Sequence, residues 1–200
     1  MGSRVAVLWT GGKDSALALY RAADKGARIR ALVTFAPSAE AEFKAHPLLA
    51  MKVQAEQLGI EHRTIAVTEP YREGYIAALA RVRDDYSVSG VVTGDIDLVD
   101  GMPNWIKECA AVVNLDVITP LWQQDREGLL WDVVHRGIVA YVSWINNGAL
   151  PEQWLGRTLD AEFIHDLVAL SARTRLDLCG ENGEYHTMCR LLPRLGRVAN

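Results

Sequence analysis

The stretch Arg4–Lys25, RVAVLWTGGKDSALALYRAADK, decides the fold of the first half of the chain. Arg4–Trp9 is a nearly continuous apolar run, which is typical of a strand buried on both faces of a parallel sheet. Ser15–Lys25 has the wide apolar surface of a packed helix, and Gly26 is placed to end it. The six residues from Thr10 to Ser15 therefore join a buried strand to a helix.

Strand-like and helical stretches keep alternating as far as about residue 120. We predict strands at Arg30–Phe35, His62–Val67, Gly90–Thr93 and Val117–Thr119, and helices at Pro47–Leu58, Tyr71–Asp84 and Asn104–Leu115. Such alternation produces right-handed crossovers between parallel strands. The sequence thus predicts an α/β fold, a Rossmann-like parallel sheet with helices on both faces.

The regular alternation of strands and helices ends at about Pro120. Arg126–Arg136 and Asp160–Ala172 have helical patterns, Ile138–Ile145 is strand-like, and a glycine-rich acidic loop precedes one more strand near the end. Asp160 is a side chain suited to cap the second of these helices. We therefore expect two domains, residues 1–120 as a nucleotide-binding unit and residues 121–200 as a smaller α/β unit.

Composition narrows the class of protein. The chain has 200 residues, a formal charge of −4 and 50% hydrophobic residues, which is an ordinary globular composition. No apolar run approaches the ~18 residues of a membrane span, and no signal peptide is recognisable. Three cysteines without a CxxC pair indicate a reducing compartment, so we expect a cytoplasmic protein. The acidity disfavours nucleic acid and anionic membranes as partners, while six tryptophans leave a homodimer interface open.

The loop at residues 10–15 is suited to hold phosphate groups. Its two glycines allow close approach of the backbone, the helix N-terminus adds a positive dipole end, and a lysine adds a full cation. It differs from a Walker A loop, because Asp14 stands where Ser or Thr would follow the lysine. The predicted phosphate-binding residues are Thr10, Gly11, Gly12, Lys13, Asp14 and Ser15.

Gly94 and Asp95 follow another short buried strand. Ligands of open parallel sheets bind beyond the carboxyl ends of the strands, so this pair is expected to lie near the first loop. Asp95 could hold Mg²⁺ or a ribose, or could simply cap a turn.

A second informative run is Cys179–Thr187, CGENGEYHT. Its glycines permit sharp turns that bring two carboxylates and a histidine together. Carboxylates can bind Mg²⁺ or ammonium, and His186 can exchange protons near neutral pH. A plain surface turn is the alternative, whereas a zinc site of Cys179, His186 and Cys189 lacks a fourth ligand.

TGGKDS resembles the signature of the PP-loop ATP pyrophosphatases. Together with CGENGEYHT, at a suitable distance along the chain, it resembles the diphthine–ammonia ligase family, whose members carry a second C-terminal α/β domain. Similar landmarks lie between the two runs, so that the resemblance covers nearly the whole chain. They are His46-Pro47, Gln54–Ile60, Thr93–Ile96, Pro120–Trp122 and Leu155–Arg157.

The resemblance implies ATP-dependent amide synthesis. A substrate carboxylate attacks the α-phosphate to give an acyl-adenylate and pyrophosphate, and ammonia then displaces AMP. ATP and Mg²⁺ are the implied cofactors, and Gly94 and Asp95 would complete the nucleotide site; from its position after a buried strand, Asp95 is the candidate Mg²⁺ ligand. The implied catalytic residues are Lys13, Asp14, Glu181, Glu184 and His186, and the residues facing the acceptor are Glu181, Asn182, Glu184, His186 and Thr187.

The chain departs from the family in two places. Asp97–Trp105 replaces a Ser-Asp-Tyr-Gln-Arg-like stretch, and Met188–Pro193 replaces an Asp-Gly-Pro-like ending. The acceptor carboxylate is therefore left open, as a modified protein side chain or a small molecule. Two other functions are also open: a non-catalytic ATP or AMP sensor of the adenine-nucleotide α-hydrolase-like superfamily, and a PP-loop tRNA-modifying enzyme. The net charge disfavours the second.

Overall fold

The computed structural model describes residues 2–37, 45–98 and 105–195. The first part of this region alternates strands and helices: β1 (Arg4–Leu8), α1 (Lys13–Asp24), β2 (Arg28–Ala36), α2 (Leu48–Leu58), β3 (His62–Ala66), α3 (Tyr71–Tyr86), β4 (Gly90–Val92), α4 (Ile106–Val112) and β5 (Asp116–Ile118). The second part consists of α5 (Arg126–His135), β6 (Val139–Ile145), a 3₁₀ turn (Glu152–Trp154), α6 (Ala161–Thr174) and β7 (Tyr185–Leu191).

The first five strands form one parallel sheet in the order β3-β2-β1-β4-β5. The predicted Rossmann-like α/β fold is confirmed. The chain leaves β1 towards β2 on one side and later crosses to β4 on the other side. In such sheets a ligand crevice opens where the direction of winding reverses, which is between β1 and β4. The loops that follow these two strands therefore lie at the same crevice.

Alternate residues of β1 pack into two separate cores. Val5 and Val7 join the core on the side of α1, whereas Ala6 joins the core on the side of α3 and α4. All three side chains are fully buried. This double burial explains why the strand reads as a continuous apolar run rather than an alternating one.

The C-terminal unit is an antiparallel pair, β6 and β7, packed with α5 and α6. Its apolar side chains belong to the same core as those of α1, and Leu17, Leu130 and Phe163 lie in one buried cluster. The smaller C-terminal unit is thus confirmed, and it packs against α1 and α2. The boundary at residue 120 stays a prediction.

Some element bounds differ from those predicted. Helix α1 begins at Lys13 rather than Ser15, so the predicted phosphate-binding lysine occupies the first helical position. Helix α4 is shorter than predicted and ends at Val112, while the predicted start at residue 104 lies outside the described residues. Of the helices in the described ranges, none has the length and apolar character needed to cross a membrane.

Candidate active site

The loop between β1 and α1 is held by its own hydroxyl groups. The Ser15 hydroxyl donates to the Gly12 carbonyl oxygen at 3.1 Å, and the Thr10 hydroxyl donates to Ser15 Oγ at 3.1 Å. Gly11 has a φ of 75°, and a Cβ there would lie 2.7 Å from Gln54 Oε1. Glycine is therefore required at position 11 for both conformation and space.

Gln54 of α2 is the buried residue that anchors this loop from outside. Its Oε1 accepts from the Trp9 indole N–H at 2.9 Å, and its Nε2 donates to the carbonyl oxygens of Gly11 at 3.0 Å and Cys189 at 2.7 Å. The Cys189 backbone N–H also donates to the Gly11 oxygen. Gln54 thus joins α2, the phosphate loop and β7 at one point.

The Gln54→Ala variant is expected to lower the free energy of unfolding by about 1–3 kcal/mol, because the buried Trp9 N–H and Cys189 carbonyl lose their partner. It should also weaken binding of ATP, the nucleotide that the sequence resemblance implies, since the Gly11 backbone loses one anchor. Urea denaturation and ATP titration of the variant measure the two effects.

Gln57 provides the matched control. It also joins α2 to β7, through Arg190 O and Leu192 N, but it has no hydrogen bond to the phosphate loop. Gln57→Ala should therefore leave ATP binding unchanged. Equal ATP affinities of the Gln54 and Gln57 variants would contradict the anchoring role of Gln54.

Lys13 lies at the centre of the site and is only 2% exposed. Its Nζ donates to the Cys179 carbonyl oxygen at 2.6 Å and pairs with Asp14 Oδ2 at 2.8 Å, and it lies 5.3 Å from the centre of the Tyr185 ring. Burial lowers the pKa of Lys13, but the Asp14 carboxylate and, after it, the Tyr185 and Cys179 side chains together outweigh burial and hold the pKa above its usual value. The cleft therefore contains a permanent cation.

Gly94 and Asp95 lie next to the start of α1, as expected for residues that follow β4 at the carboxyl edge of the sheet. A Cβ on Gly94 would be 2.8 Å from both Asp14 C and Ser15 N, so the chain after β4 passes directly against the start of α1. The Thr93 hydroxyl donates to Asp95 Oδ2 at 2.8 Å, which orients this carboxylate at the edge of the cleft.

The C-terminal loop reaches the phosphate loop through backbone and hydroxyl groups. The Lys13 backbone N–H donates to the Thr187 hydroxyl at 3.1 Å, so this N–H already has a protein partner. Thr187 is buried and adjoins the cleft. Its hydroxyl and the Cys179 carbonyl together bind both ends of the same lysine.

Glu184 holds the C-terminal loop together. Its two carboxylate oxygens accept from the backbone N–H groups of Asp177 at 2.8 Å and Asn182 at 3.0 Å, and the residue is only 6% exposed. The loop that it closes presents the Cys179 carbonyl to Lys13. In this position Glu184 shapes the site, and it does not line the cleft.

Glu181 is the carboxylate of this loop that faces the cleft. Burial, followed by the nearby Asp14 carboxylate, raises the pKa of Glu181 to about 7. At neutral pH a carboxyl group with this pKa is partly protonated and partly ionised. It can therefore both donate and accept a proton, which suits proton transfer.

His186 also lines the cleft and lies within an aromatic group. Its ring is 5.3 Å from that of His46 and 5.2 Å from that of Trp144, its partner across β6 and β7. Burial and the positive charge of Lys13 lower the pKa of His186. His46 was named only as a landmark from the sequence, and the structure places it in the cleft.

These groups surround one cleft of about 420 Å³ at the carboxyl edge of the sheet. Of the predicted site residues, the structure brings together Thr10, Gly12, Lys13, Asp14, Ser15, Gly94, Asp95, Glu181, His186 and Thr187. Gly11, Asn182 and Glu184 do not line the cleft but support the loops that do. Sequence reasoning missed Gln54, His46 and the Cys179 carbonyl, although the first two lie in the landmark segments.

An open parallel sheet with a TGGKDS loop at the reversal between β1 and β4 defines a PP-loop nucleotide-binding protein of the α/β class. Family profiles identify it further: the diphthamide synthase N-terminal domain matches residues 3–113, and the diphthamide synthase C-terminal domain matches residues 125–193. The chain belongs to the diphthamide synthase family.

Relatives named diphthine–ammonia ligase match most of the chain. Diphthine–ammonia ligase of Homo sapiens is 27% identical over 208 residues, which cover 92% of this chain and 77% of the human protein. The Danio rerio enzyme is 28% identical over 207 residues, covering 92% of this chain and 80% of its own length. The family resemblance read from the sequence is therefore confirmed.

A solved structure shares the fold. The crystal structure of a predicted subunit of tRNA methyltransferase from Methanocaldococcus jannaschii superposes with a TM-score of 0.53, at 18% identity, over 96% of this chain and 98% of that one. At this identity the similarity concerns the fold alone.

Proposed function

We propose that this protein is an ATP-dependent ligase that adenylates a carboxylate, releases pyrophosphate and converts the adenylate into an amide with ammonia. The relatives named diphthine–ammonia ligase support this activity. The observation that carries the proposal is the junction at Lys13, where a phosphate loop and an acidic, imidazole-bearing loop meet in one cleft.

In the first step an acceptor carboxylate oxygen attacks the α-phosphorus of ATP. The bond from that phosphorus to the bridging oxygen breaks, and pyrophosphate leaves with the electron pair. Lys13 stabilises the charge that develops on the leaving group, because it is a preorganised cation in a buried site. Thr10, Gly12 and Ser15 place the remaining polar groups of the loop around the phosphates.

In the second step ammonia attacks the acyl carbon, AMP leaves, and the attacking nitrogen loses a proton. Glu181 is suited to receive this proton, or to bind ammonium and take its proton beforehand, because its pKa is about 7. His186 lines the same cleft and can orient the acceptor or assist in proton transfer. Asn182 and Glu184 act here through the conformation of the loop.

The charges of the cleft fit Mg²⁺ bound together with the nucleotide. Within the three described segments, no group of three or more His, Cys, Asp or Glu side chains could hold a metal alone. Mg²⁺ is usually bound by one or two carboxylates and substrate phosphates, and Asp95, oriented by Thr93, is the proposed protein ligand. When bound, the ion would neutralise part of the triphosphate charge.

The wider setting of the activity is also part of this proposal. We place the enzyme in the cytoplasm, with ATP, ammonia and a carboxylate-bearing protein side chain or small molecule as its reaction partners. A homodimer and the domain division at residue 120 remain predictions.

The nucleotide product tests the proposal. The protein is incubated with ATP, Mg²⁺, ¹⁵N-ammonium and candidate carboxylates, and the products are separated. AMP, pyrophosphate and a ¹⁵N-labelled amide are expected. Formation of ADP would overturn the chemistry, and ATP binding without AMP formation for any acceptor would favour a nucleotide sensor.

The pH dependence of the rate tests Glu181. A base with a pKa near 7 is protonated and inactive at pH 6 and ionised at pH 8, so amide formation measured at a constant concentration of free ammonia should rise across this range. Glu181→Gln should lose this rise and most of the rate, while Glu162→Gln, an exposed carboxylate change on α6, should keep both. An unchanged pH profile in Glu181→Gln would contradict its role as the base.

A further inference from the structure

The imidazole of His46 has no role in the chemistry described above, although it borders the phosphate loop. Its Cε1 lies 3.4 Å from the position that a Cβ on Gly12 would occupy, so the ring packs over the backbone of the loop. Its Nδ1 is buried and has no hydrogen-bond partner within the described segments. The ring therefore has hydrogen-bonding capacity next to the predicted phosphate position.

The surroundings of His46 favour a neutral ring before nucleotide binds. The His186 ring lies 5.3 Å away, edge to face, and Lys13 is a permanent cation of the same cleft. Burial, followed by the charges of His186 and Lys13, lowers the pKa of His46 to about 4, although a backbone hydrogen bond with Thr10 acts in the opposite direction. Among the residues that the structure describes, the carboxylates that border the cleft are Asp14, Asp95 and Glu181, and Asp14 is paired with Lys13.

A bound polyphosphate changes the balance between the neutral and the protonated form of the His46 ring. Its several negative charges enter a cleft whose described lining residues include the fully charged cation Lys13, and they favour the protonated form of any nearby imidazole. A protonated imidazole is a donor at both ring nitrogens, and a charge-assisted bond to phosphate is stronger than a neutral one.

We propose that His46 is a further phosphate-binding residue, which donates a hydrogen bond to the bound triphosphate or pyrophosphate and takes up a proton on doing so. The inference rests on the proposed function, because it requires the phosphates to lie in this loop. Binding is then coupled to proton uptake, and affinity for pyrophosphate falls as the pH rises, by up to about tenfold per pH unit for one proton. Release of pyrophosphate is correspondingly easier when His46 returns to its neutral form.

Calorimetric titration of the protein with inorganic pyrophosphate tests the coupling. Titrations at pH 7 in two buffers of different ionisation enthalpy give the number of protons taken up, and repeats from pH 6 to 8 give the slope of affinity. The ligand's own protonation is common to all variants and cancels in their difference. His46→Gln should take up fewer protons than the native protein and should show a shallower slope of affinity.

His62 is the matched control. It is also a partly buried histidine with a lowered pKa, but it contacts Thr34 Oγ1 at 2.8 Å and does not line the cleft. His62→Gln should keep the native proton uptake. A second measurement uses the native protein alone: the ¹⁵N imidazole resonance of His46 should show an upward shift of its pKa when pyrophosphate is added.

The outcomes separate this inference from the proposed function. Pyrophosphate binding with equal proton uptake in native protein and His46→Gln, or an unshifted His46 resonance, would overturn the inference and leave the ligase proposal standing. If native protein binds neither pyrophosphate nor ATP, both fail.

Discussion

Lys13→Met is expected to reduce AMP formation by about 10²–10³-fold, the usual effect of removing one preorganised group that stabilises developing charge. Methionine retains most of the buried volume but cannot donate to the Cys179 carbonyl or neutralise the leaving pyrophosphate. ATP binding should weaken as well, because the loop loses its cation. Product analysis and ATP titration measure the two effects separately.

Lys25 provides the control for Lys13. It follows the last turn of the same helix and is exposed, at the opposite end from the cleft. Lys25→Met changes the net charge equally and should leave both the rate and ATP binding unaltered. A Lys13→Met protein that forms AMP at the native rate would show that the reaction takes place elsewhere.

Gly94→Ala should lower the free energy of unfolding by about 1–3 kcal/mol and strongly weaken ATP binding. The added Cβ would lie 2.8 Å from the backbone of Asp14 and Ser15, so the start of α1 must move. This movement displaces the groups that are proposed to hold the phosphates. Thermal unfolding with and without ATP shows both effects, because a bound ligand stabilises only a protein that binds it.

Gly148→Ala is the corresponding control for an added methyl group. Gly148 is exposed in a turn, and a Cβ added there would lie 3.3 Å from Asn146 Oδ1. ATP should stabilise the Gly148→Ala protein against thermal unfolding as much as it stabilises the native protein. Native ATP binding in Gly94→Ala would mean that the backbone contact with α1 does not matter for the nucleotide.

The sequence predicts those features of the fold that depend on local pattern. The buried run before the phosphate loop could be recognised because both faces of β1 are covered, which gives an apolar residue at every position. The TGGKDS loop and Gly94 could be placed together, because the carboxyl ends of parallel strands meet at one edge.

Other features depend on contacts between distant segments and leave little local signal. Gln54 contacts a residue 135 positions later, and a glutamine in a helix is ordinarily an exposed residue. The Cys179 carbonyl that binds Lys13 is a backbone group, which any residue type could supply. Glu184 was predicted to face the acceptor, and that role stays a prediction. In the structure both of its oxygens are bonded within the loop.

The bonds between β7 and the phosphate loop also bear on the order in which the site can form during synthesis. Gly11 and Lys13 emerge from the ribosome early, but the groups that hold them, on Thr187 and Cys189, are translated more than 170 residues later. The parallel sheet can assemble before then, because its strands end at Ile118. Competence to hold nucleotide phosphates should therefore appear only once the chain has been translated beyond Cys189.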